Sequence, residues 1–423
     1  MTEVMQGTGR SLKILVVTEC FWPDIYAVND IVEKLVQRGH KVTVLTGLPD
    51  YTTTRIPKEY KYGKNRHQNY KGAEVFRVPT IARRHGPIFR SLSYLSFAFN
   101  GWLRAKTQDF GDFDVIYVWE VSPVTMAVPA IALKKRYKKP LFLYCMDIWP
   151  ECVKAMSINE GTLPYKMIHA WTRRIYGQCD HIAVSSKPFF EYLERVNGVK
   201  RSVMSYLPQF ASGDMLEADF EKSTETDSVD FLYIGNIGKA QDMGCLIGAI
   251  SKVKEYLDGR DRTVRFHIVG GGSEFDNVKK MAAESGADKI ITFYGPKPFK
   301  EAMEYYRVAD ACILTLDGST HIGDTLPGKV QTYMAAGKPI LGAMNGAGFE
   351  VIEESGAGKC VKAGDAKGLS EIFIDFIENT GDYAGCGDKA REYFRKNFTE
   401  EIHFRTLEER LESMAFYLLL QEK

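Results

Sequence analysis

Short runs of consecutive apolar, mostly β-branched residues recur through the first half of the chain: "LKILVVT" (12–18), "KVTVLTG" (41–47), "AEVFRVP" (73–79), "DVIYVW" (114–119), "PLFLYCMD" (140–147) and "DHIAVSS" (180–186). Runs of this length and kind read as strands buried on both faces. Between the first two, "NDIVEKLVQRGH" (29–40) spaces its apolar residues at helical period and stops at Gly39. Strands alternating with helices imply a parallel sheet covered on both sides. After a polar, proline-containing stretch the pattern restarts with "FLYIGN" (231–236), "VRFHIVGG" (264–271), "ITFYG" (291–295), "ACILTL" (311–316) and "KPILGAM" (338–344). The pattern therefore predicts a doubly wound α/β domain over 1–206, a linker over 207–229 and a second such domain over 230–397.

Length agrees, because 423 residues exceed what one hydrophobic core organises. Charge removes one class of function: 55 Lys and Arg nearly cancel 54 Asp and Glu, so nucleic acid is not an expected partner and any basic site is local. The eight cysteines are scattered without a CxxC pair or a Cys/His set at metal spacing, which predicts reduced thiols, a cytoplasmic chain and no metal. No uninterrupted apolar run reaches about 18 residues, so the chain is expected to be soluble or to lie on a membrane surface.

In open α/β sheets ligands bind where loops leave the carboxyl ends of strands. "GNIGKAQ" ends one strand with Gly235, Asn236 and Gly238, followed by Lys239 and Gln241; its glycines fit close approach to a phosphate or a tight turn alone. The Gly270-Gly271-Gly272 run of "HIVGGGSE" leaves the same two readings open. "DTLPGKVQTYMAAGKP" places Asp324, Thr325, Leu326, Pro327, Gly328 and Lys329 before a helix expected to begin near Val330, so helix amides and an ammonium would converge as a diphosphate requires. "MDIWPE" sets Asp147, Trp149 and Glu151 at a strand end, suited to a sugar's hydroxyls and apolar face or to a cap and core packing. Glu120 in "VWEVSP" lines the acceptor side or is a solvated loop acid, whereas His181 and His267 read as core. The first strand is followed by "ECFWPDIYAVND", without a GxGxxG, and no GxxxxGK[ST] occurs, which disfavours a dinucleotide oxidoreductase and a P-loop NTPase. Residues 82–106 mix Arg83, Arg84, Arg90, Arg104 and Lys106 with aromatic and aliphatic residues: an amphipathic helix packed on the domain, a peripheral contact with anionic lipid, or both.

Taken in order, the opening 12–51 segment, "MDIWPE", "GNIGKAQ", "HIVGGGSE", "YYRVADACIL" and "LPGKVQTYMAAGKPI" resemble family 4 retaining glycosyltransferases, nearest to a bacterial branch of N-acetylfucosamine-type transferases of surface-polysaccharide pathways. The resemblance implies a GT-B fold: two Rossmann-like domains facing a cleft, with part of 398–423 crossing back to the first. It implies a nucleoside diphosphate sugar, UDP-linked, held by Gly235, Asn236, Gly238, Lys239, Gln241, Gly271, residues 325–329 and Thr332. It also implies a glycan or lipid-linked acceptor met by Tyr26, Trp149 and Glu151, with Asp147, Asp324 and Glu120 nearest the chemistry, no metal and no cofactor. The chain departs from the family pattern where relatives carry a ribose-binding glutamate (here Thr332), a glutamate near the donor sugar (Asp324), an arginine and a lysine after the first strand of the second domain (Asn236, Gln241) and paired glycines after the first strand (Tyr26-Ala27). A nucleotide-sugar 2-epimerase and a non-catalytic subunit of a polysaccharide assembly complex remain the alternatives.

Overall fold

The computed structural model describes residues 10–50, 54–84, 86–156, 158–211, 214–220, 227–319 and 321–421. Contacts divide the chain into one unit of residues 1–207 with 404–423 and a second of residues 208–403.

The first unit carries β1 (Lys13–Val17), α1 (Ala27–Gln37), β2 (Lys41–Thr46), β3 (His67–Tyr70), β4 (Ala73–Arg77), α2 (Pro87–Thr107), β5 (Val115–Glu120), α3 (Val128–Tyr137), β6 (Leu141–Cys145), α4 (Leu163–Tyr176), β7 (His181–Val184), α5 (Pro188–Arg195) and β8 (Met204–Tyr206). Its sheet order is β3-β4-β2-β1-β5-β6-β7-β8, parallel except for β3 against β4. From β4 to β7 this is the doubly wound 3-2-1-4-5-6 order, whose direction reverses between β1 and β5. The strand interiors are wholly buried, as their apolar runs require.

The second unit begins with α6 (Asp214–Glu217) and continues through β9 (Ser228–Ile234), α7 (Met243–Leu257), β10 (Thr263–Val269), α8 (Phe275–Ser285), β11 (Ile291–Gly295), α9 (Phe299–Glu304), β12 (Ala311–Thr315), α10 (Gly328–Ala335), β13 (Ile340–Ala343), α11 (Ala347–Ser355), β14 (Gly358–Val361), α12 (Ala366–Glu378) and α13 (Cys386–Asn397). Its all-parallel sheet runs β11-β10-β9-β12-β13-β14, so the same reversal falls between β9 and β12.

Two boundaries differ from the sequence expectation. The stretch read as a linker is partly core of the second unit, because Ala211, Met215 and Phe220 bury against Leu326, Val330 and Tyr333, and β9 begins at Ser228. The second domain, expected to end at 397, runs to His403, and the stretch expected to cross back to the first is a helix, α14 (Glu400–Gln421). From Phe404 onward α14 belongs to the first unit, where Glu408, with no exposed surface, takes two hydrogen bonds from Arg38 (2.7 and 3.0 Å) and a third contact from His40 Nε2 at 3.0 Å. Desolvation works against the carboxylate, but His40 and Arg38 together outweigh it and hold the group below its ordinary value. Among the described residues no helix is long and apolar enough to cross a membrane.

Candidate functional site

In the second unit the loops after β9 and β10 lie backbone against backbone at the sheet's switch point. A Cβ on Gly270 would stand 1.8 Å from the Gly235 carbonyl oxygen, and one on Gly272 would stand 2.3 Å from that of Ile237. Only glycine permits this approach, and Gly235 and Gly270 also hold φ of +143° and +140°. The close contact fixes the β9 loop: Ile237 N–H donates to Gly271 O (2.9 Å), and Gln241 Oε1 accepts from Gly238 N–H (3.0 Å) and Asn236 Nδ2 (3.1 Å). Asn236 and Gln241, where the family pattern has cations, thus brace the loop against itself. Lys239 stands exposed in the following turn.

Against this loop the start of α10 is pinned from two directions. Tyr333, fully buried, donates through its hydroxyl to Ile234 O (3.3 Å) and accepts from Ile234 N–H (3.2 Å). Lys329 lays its stem across Gly235, where a Cβ would come within 2.3 Å of Cε, and donates from Nζ to the Tyr233 hydroxyl at 2.7 Å. The ammonium also sits 4.2 Å from the Tyr233 ring centroid. No carboxylate pairs with it among the described residues, and desolvation lowers its pKa from 10.5 to about 8. The helix begins at Gly328, two residues earlier than the sequence suggested, because Pro327 already has the extended N-cap conformation (φ −68°, ψ 131°) that launches a helix. The N-terminal end of α10, whose Val330 amide already bonds back to Pro327 O (3.0 Å), and the Lys329 ammonium therefore share one spot, an arrangement that attracts a phosphate.

Thr332 is half-buried on the same helix and donates its hydroxyl to Gly328 O (3.1 Å). Thr325 is half-buried and Leu326 buried, the latter belonging to the core under α10. Asp324 accepts from or ion-pairs with His321 Nδ1 at 2.6 Å.

The first unit gathers a different chemistry at its own switch point, and here three expectations are corrected. Glu120 closes β5 with no exposed surface, beside the Cys145 thiol, so it is a core group and lines no acceptor surface; desolvation first, and Asp147 second, push its carboxyl well above the ordinary range. Trp149 is buried in the core, its indole N–H donating to Ser122 Oγ (3.1 Å) and its carbonyl accepting from Asn197 (3.0 Å), so its face is not presented to a sugar. Glu151 is held by Lys154 (2.6 Å) and by the Tyr165 and Tyr192 hydroxyls (3.3 and 3.1 Å), which makes it an anchor for α4 and α5. Asp147 is the half-buried acid of that motif, its pKa raised by desolvation to about 6 against the opposing Ser122 hydrogen bond. Tyr26, at the N-cap of α1, is half-buried and meets Trp119 edge-on at 6.1 Å. His181 and His267 are buried and hydrogen-bonded to Ser205 and to Tyr294 and Asp230, as core histidines.

Two residues escaped the sequence reading. Tyr233 looked like one more apolar strand position, yet it seats the lysine. Glu19, directly after the buried run of β1, turns into a small polar pocket with Asp24, Asp50, Arg83 and Ser93. Ser93 donates to one carboxyl oxygen (3.2 Å), the other is buried without a hydrogen-bond partner, and desolvation raises the group to about 8. An acid abutting a strand's carboxyl end was the available signal. Among the described residues no three His, Cys, Asp or Glu side chains form a metal-binding group.

The family described as Glycosyltransferase Family 4 matches residues 27–210, and Glycosyl transferases group 1 matches residues 215–397. The chain is 22% identical over 345 residues to WcaI of Escherichia coli K12, named as a colanic acid biosynthesis glycosyl transferase, covering 77% of this chain and 82% of that one. In fold it is similar to the sucrose-phosphate synthase of Thermosynechococcus elongatus, with a TM-score of 0.74 at 15% identity over 97% of this chain and 100% of the other. It is also similar to Anabaena Alr3699/HepE, solved with UDP and glucose, with a TM-score of 0.65 at 15% identity over 95% of this chain and 100% of the other.

Proposed function

We propose that this chain, which belongs to the group 1 glycosyltransferases of GT-B fold, moves a hexosyl or N-acetylhexosaminyl group from a UDP-sugar to a glycan or lipid-linked acceptor with retention of anomeric configuration, in the cytoplasm, during cell-surface polysaccharide synthesis. The observation that carries the donor side is the Lys329 ammonium: desolvated, without a carboxylate partner, and at the first turn of a helix beside a glycine loop. Such a group lacks the charge that a diphosphate would bring. The likeness in fold to a protein solved with UDP and glucose supports uridine as the base, and the relation to a colanic acid transferase supports the pathway class.

In this reading the acceptor oxygen bonds to the anomeric carbon on the face from which the diphosphate departs. The breaking C–O bond leaves its electron pair on the phosphate, which takes up the acceptor proton. Lys329 and the α10 amides offset the charge that develops there, so the protein's contribution is positioning and electrostatic stabilisation rather than a covalent intermediate. Asp147 is the acid we place against an acceptor hydroxyl, and Thr332 the group at the ribose. Incubating the chain with UDP-, GDP- and dTDP-sugars and an acceptor extract, then measuring nucleotide release and the product's anomeric coupling by NMR, tests the reading. Selective release from a UDP-sugar with the donor's own configuration supports it; release from another nucleotide only, or inversion, overturns it.

A further inference from the structure

The second, third and fourth helices of the first unit share a composition unlike the rest of the chain. Together α2, α3 and α4 contain nine Lys and Arg and no Asp or Glu, although the chain as a whole has a net charge of only +1. α2 and α3 are held side by side: a Cβ on Gly101 of α2 would stand 2.5 Å from the Pro129 ring of α3, and α4 joins them through a shared groove.

The outward face of this layer is apolar as well as basic. Along α2, Ile88 (73% exposed), Leu92, Leu95, Phe99 (62%) and Trp102 recur at the spacing that makes one stripe on a helix, about 21 Å long. On α4 the exposed residues Leu163, Met167 and Trp171 repeat every fourth position. A soluble protein surface rarely keeps two such stripes uncovered. Between them lies a groove of about 880 Å³, floored by Val128 and Ile131 of α3, walled by Trp102 and Trp171, and rimmed by Lys106, Lys135 and Arg174. Lys106 Nζ sits 4.7 Å from the Trp102 ring centroid, so cation and indole occupy one level.

We infer that this face docks on an anionic lipid bilayer, with the two apolar stripes entering the boundary between headgroups and acyl chains and the rim cations pairing with headgroup phosphates. Charge and hydrophobicity together select this partner. A polyanion such as RNA would use the cations and leave Ile88, Leu95 and Phe99 in water, whereas a second copy of the same face would set two acid-free basic layers against each other. Tryptophans beside cations at one depth are the side chains that favour a membrane interface.

Flotation of the full chain with vesicles of phosphatidylcholine, with and without phosphatidylglycerol, tests the inference independently of any transferase activity. The chain should float only with the anionic vesicles and be released by high salt. Reversing two rim charges, Lys106→Glu with Arg174→Glu, should weaken partition by roughly tenfold or more, and Leu95→Ser with Phe99→Ser should weaken it at low salt, with the rim charges intact. Both pairs are exposed, so melting temperatures should stay with the wild type, and a pair that melts early is replaced by its single variants. Failure to float, partition unchanged in both pairs, dimerisation through this face, or displacement of the chain from vesicles by a single-stranded oligonucleotide would each overturn the assignment.

Discussion

Replacing Lys329 by methionine keeps an unbranched stem over Gly235 and removes the charge, and the two readings of that lysine then predict opposite signs. A structural ammonium would be stabilising, but this one is desolvated with a single neutral hydroxyl for compensation. The displacement of its pKa from 10.5 to about 8 corresponds to about 3 kcal/mol by which the charged form disfavours the folded state at neutral pH, an upper bound because the residue is only half-buried by surface. Lys329→Met without nucleotide should therefore melt at or above the wild-type temperature, by about 2–4 °C for each kcal/mol recovered. The folded pKa lies below the unfolded one, so the penalty is complete below pH 8 and disappears as pH rises towards 10.5, where the two proteins should converge. Nucleotide binding should move the other way: losing a hydrogen bond from a charged donor to phosphate costs about 1.5–3 kcal/mol, roughly a 10- to 150-fold rise in the Kd for UDP. Wild-type affinity should decline above pH 8 as the ammonium deprotonates, and the variant should not show that decline. Calorimetric titration with UDP from pH 7 to 9.5, with melts on the same samples, measures both. Unchanged UDP affinity, or a variant that melts well below the wild type, would refute the phosphate-site argument.

Asp147→Asn should reduce transfer far more than UDP affinity. Because the folded pKa is raised from 3.8 to about 6, the wild type loses stability as pH rises through 6, so the variant should equal it near pH 4 and exceed it by about 1–3 kcal/mol at pH 8; a variant less stable at pH 8 would show the acid to be a structural partner instead. Glu408→Ala strips the buried acid from between Arg38 and His40 and should lower stability by about 3–5 kcal/mol with α14 becoming susceptible to protease; a loss under about 1 kcal/mol would mean that the ion pair does not anchor the helix. Thr332→Glu, at a half-buried position near the start of α10, should tighten UDP binding by about 1 kcal/mol without lowering the melting temperature; weaker binding would remove this position from the ribose.

The central strands were legible because burial on both faces leaves an unmistakable apolar run, and the two series predicted the two sheets. The edges were not. β3 reads "HQNY", β8 is three residues long and β14 reads "GKCV", since a strand with one neighbour needs neither length nor continuous hydrophobicity. In the second unit the glycine loops and the Pro-Gly-Lys start of α10 were readable from local geometry alone, because each residue's role depends on neighbours in sequence or on a backbone angle only glycine adopts. The acceptor-side assignments failed for the converse reason. Trp149 is held inward by Asn197, and Glu151, besides its local pair with Lys154, by Tyr192, both more than 40 positions away, on α5 and just beyond it, whose docking no local pattern records.

What separates candidate function from architecture among the ionisable groups is the direction in which the fold pushes them. Glu408 and Asp375 are held towards the charged form by partners: the first by His40 and Arg38 against desolvation, the second by Lys359, Tyr383 and Asn379 to about 2. Lys329, Asp147 and Glu19 are pushed towards the neutral form, in each case chiefly by desolvation; Glu19 follows β1 and Lys329 packs on the loop after β9, both strands that border a sheet reversal, and Asp147 follows β6, one strand further on. A group that the fold strains in this way is stabilised when a ligand brings the missing partner, an anion for the lysine and a hydroxyl for the acids, so that binding recovers what folding gave up. Glu120 obeys the same electrostatics and marks where the rule stops: burial pushes it towards the neutral form as well, but with no exposed surface it has no ligand to receive. Displacement towards the neutral form therefore identifies a site only when it is joined to access, and that second condition selects Lys329 and Asp147 over the buried Glu120.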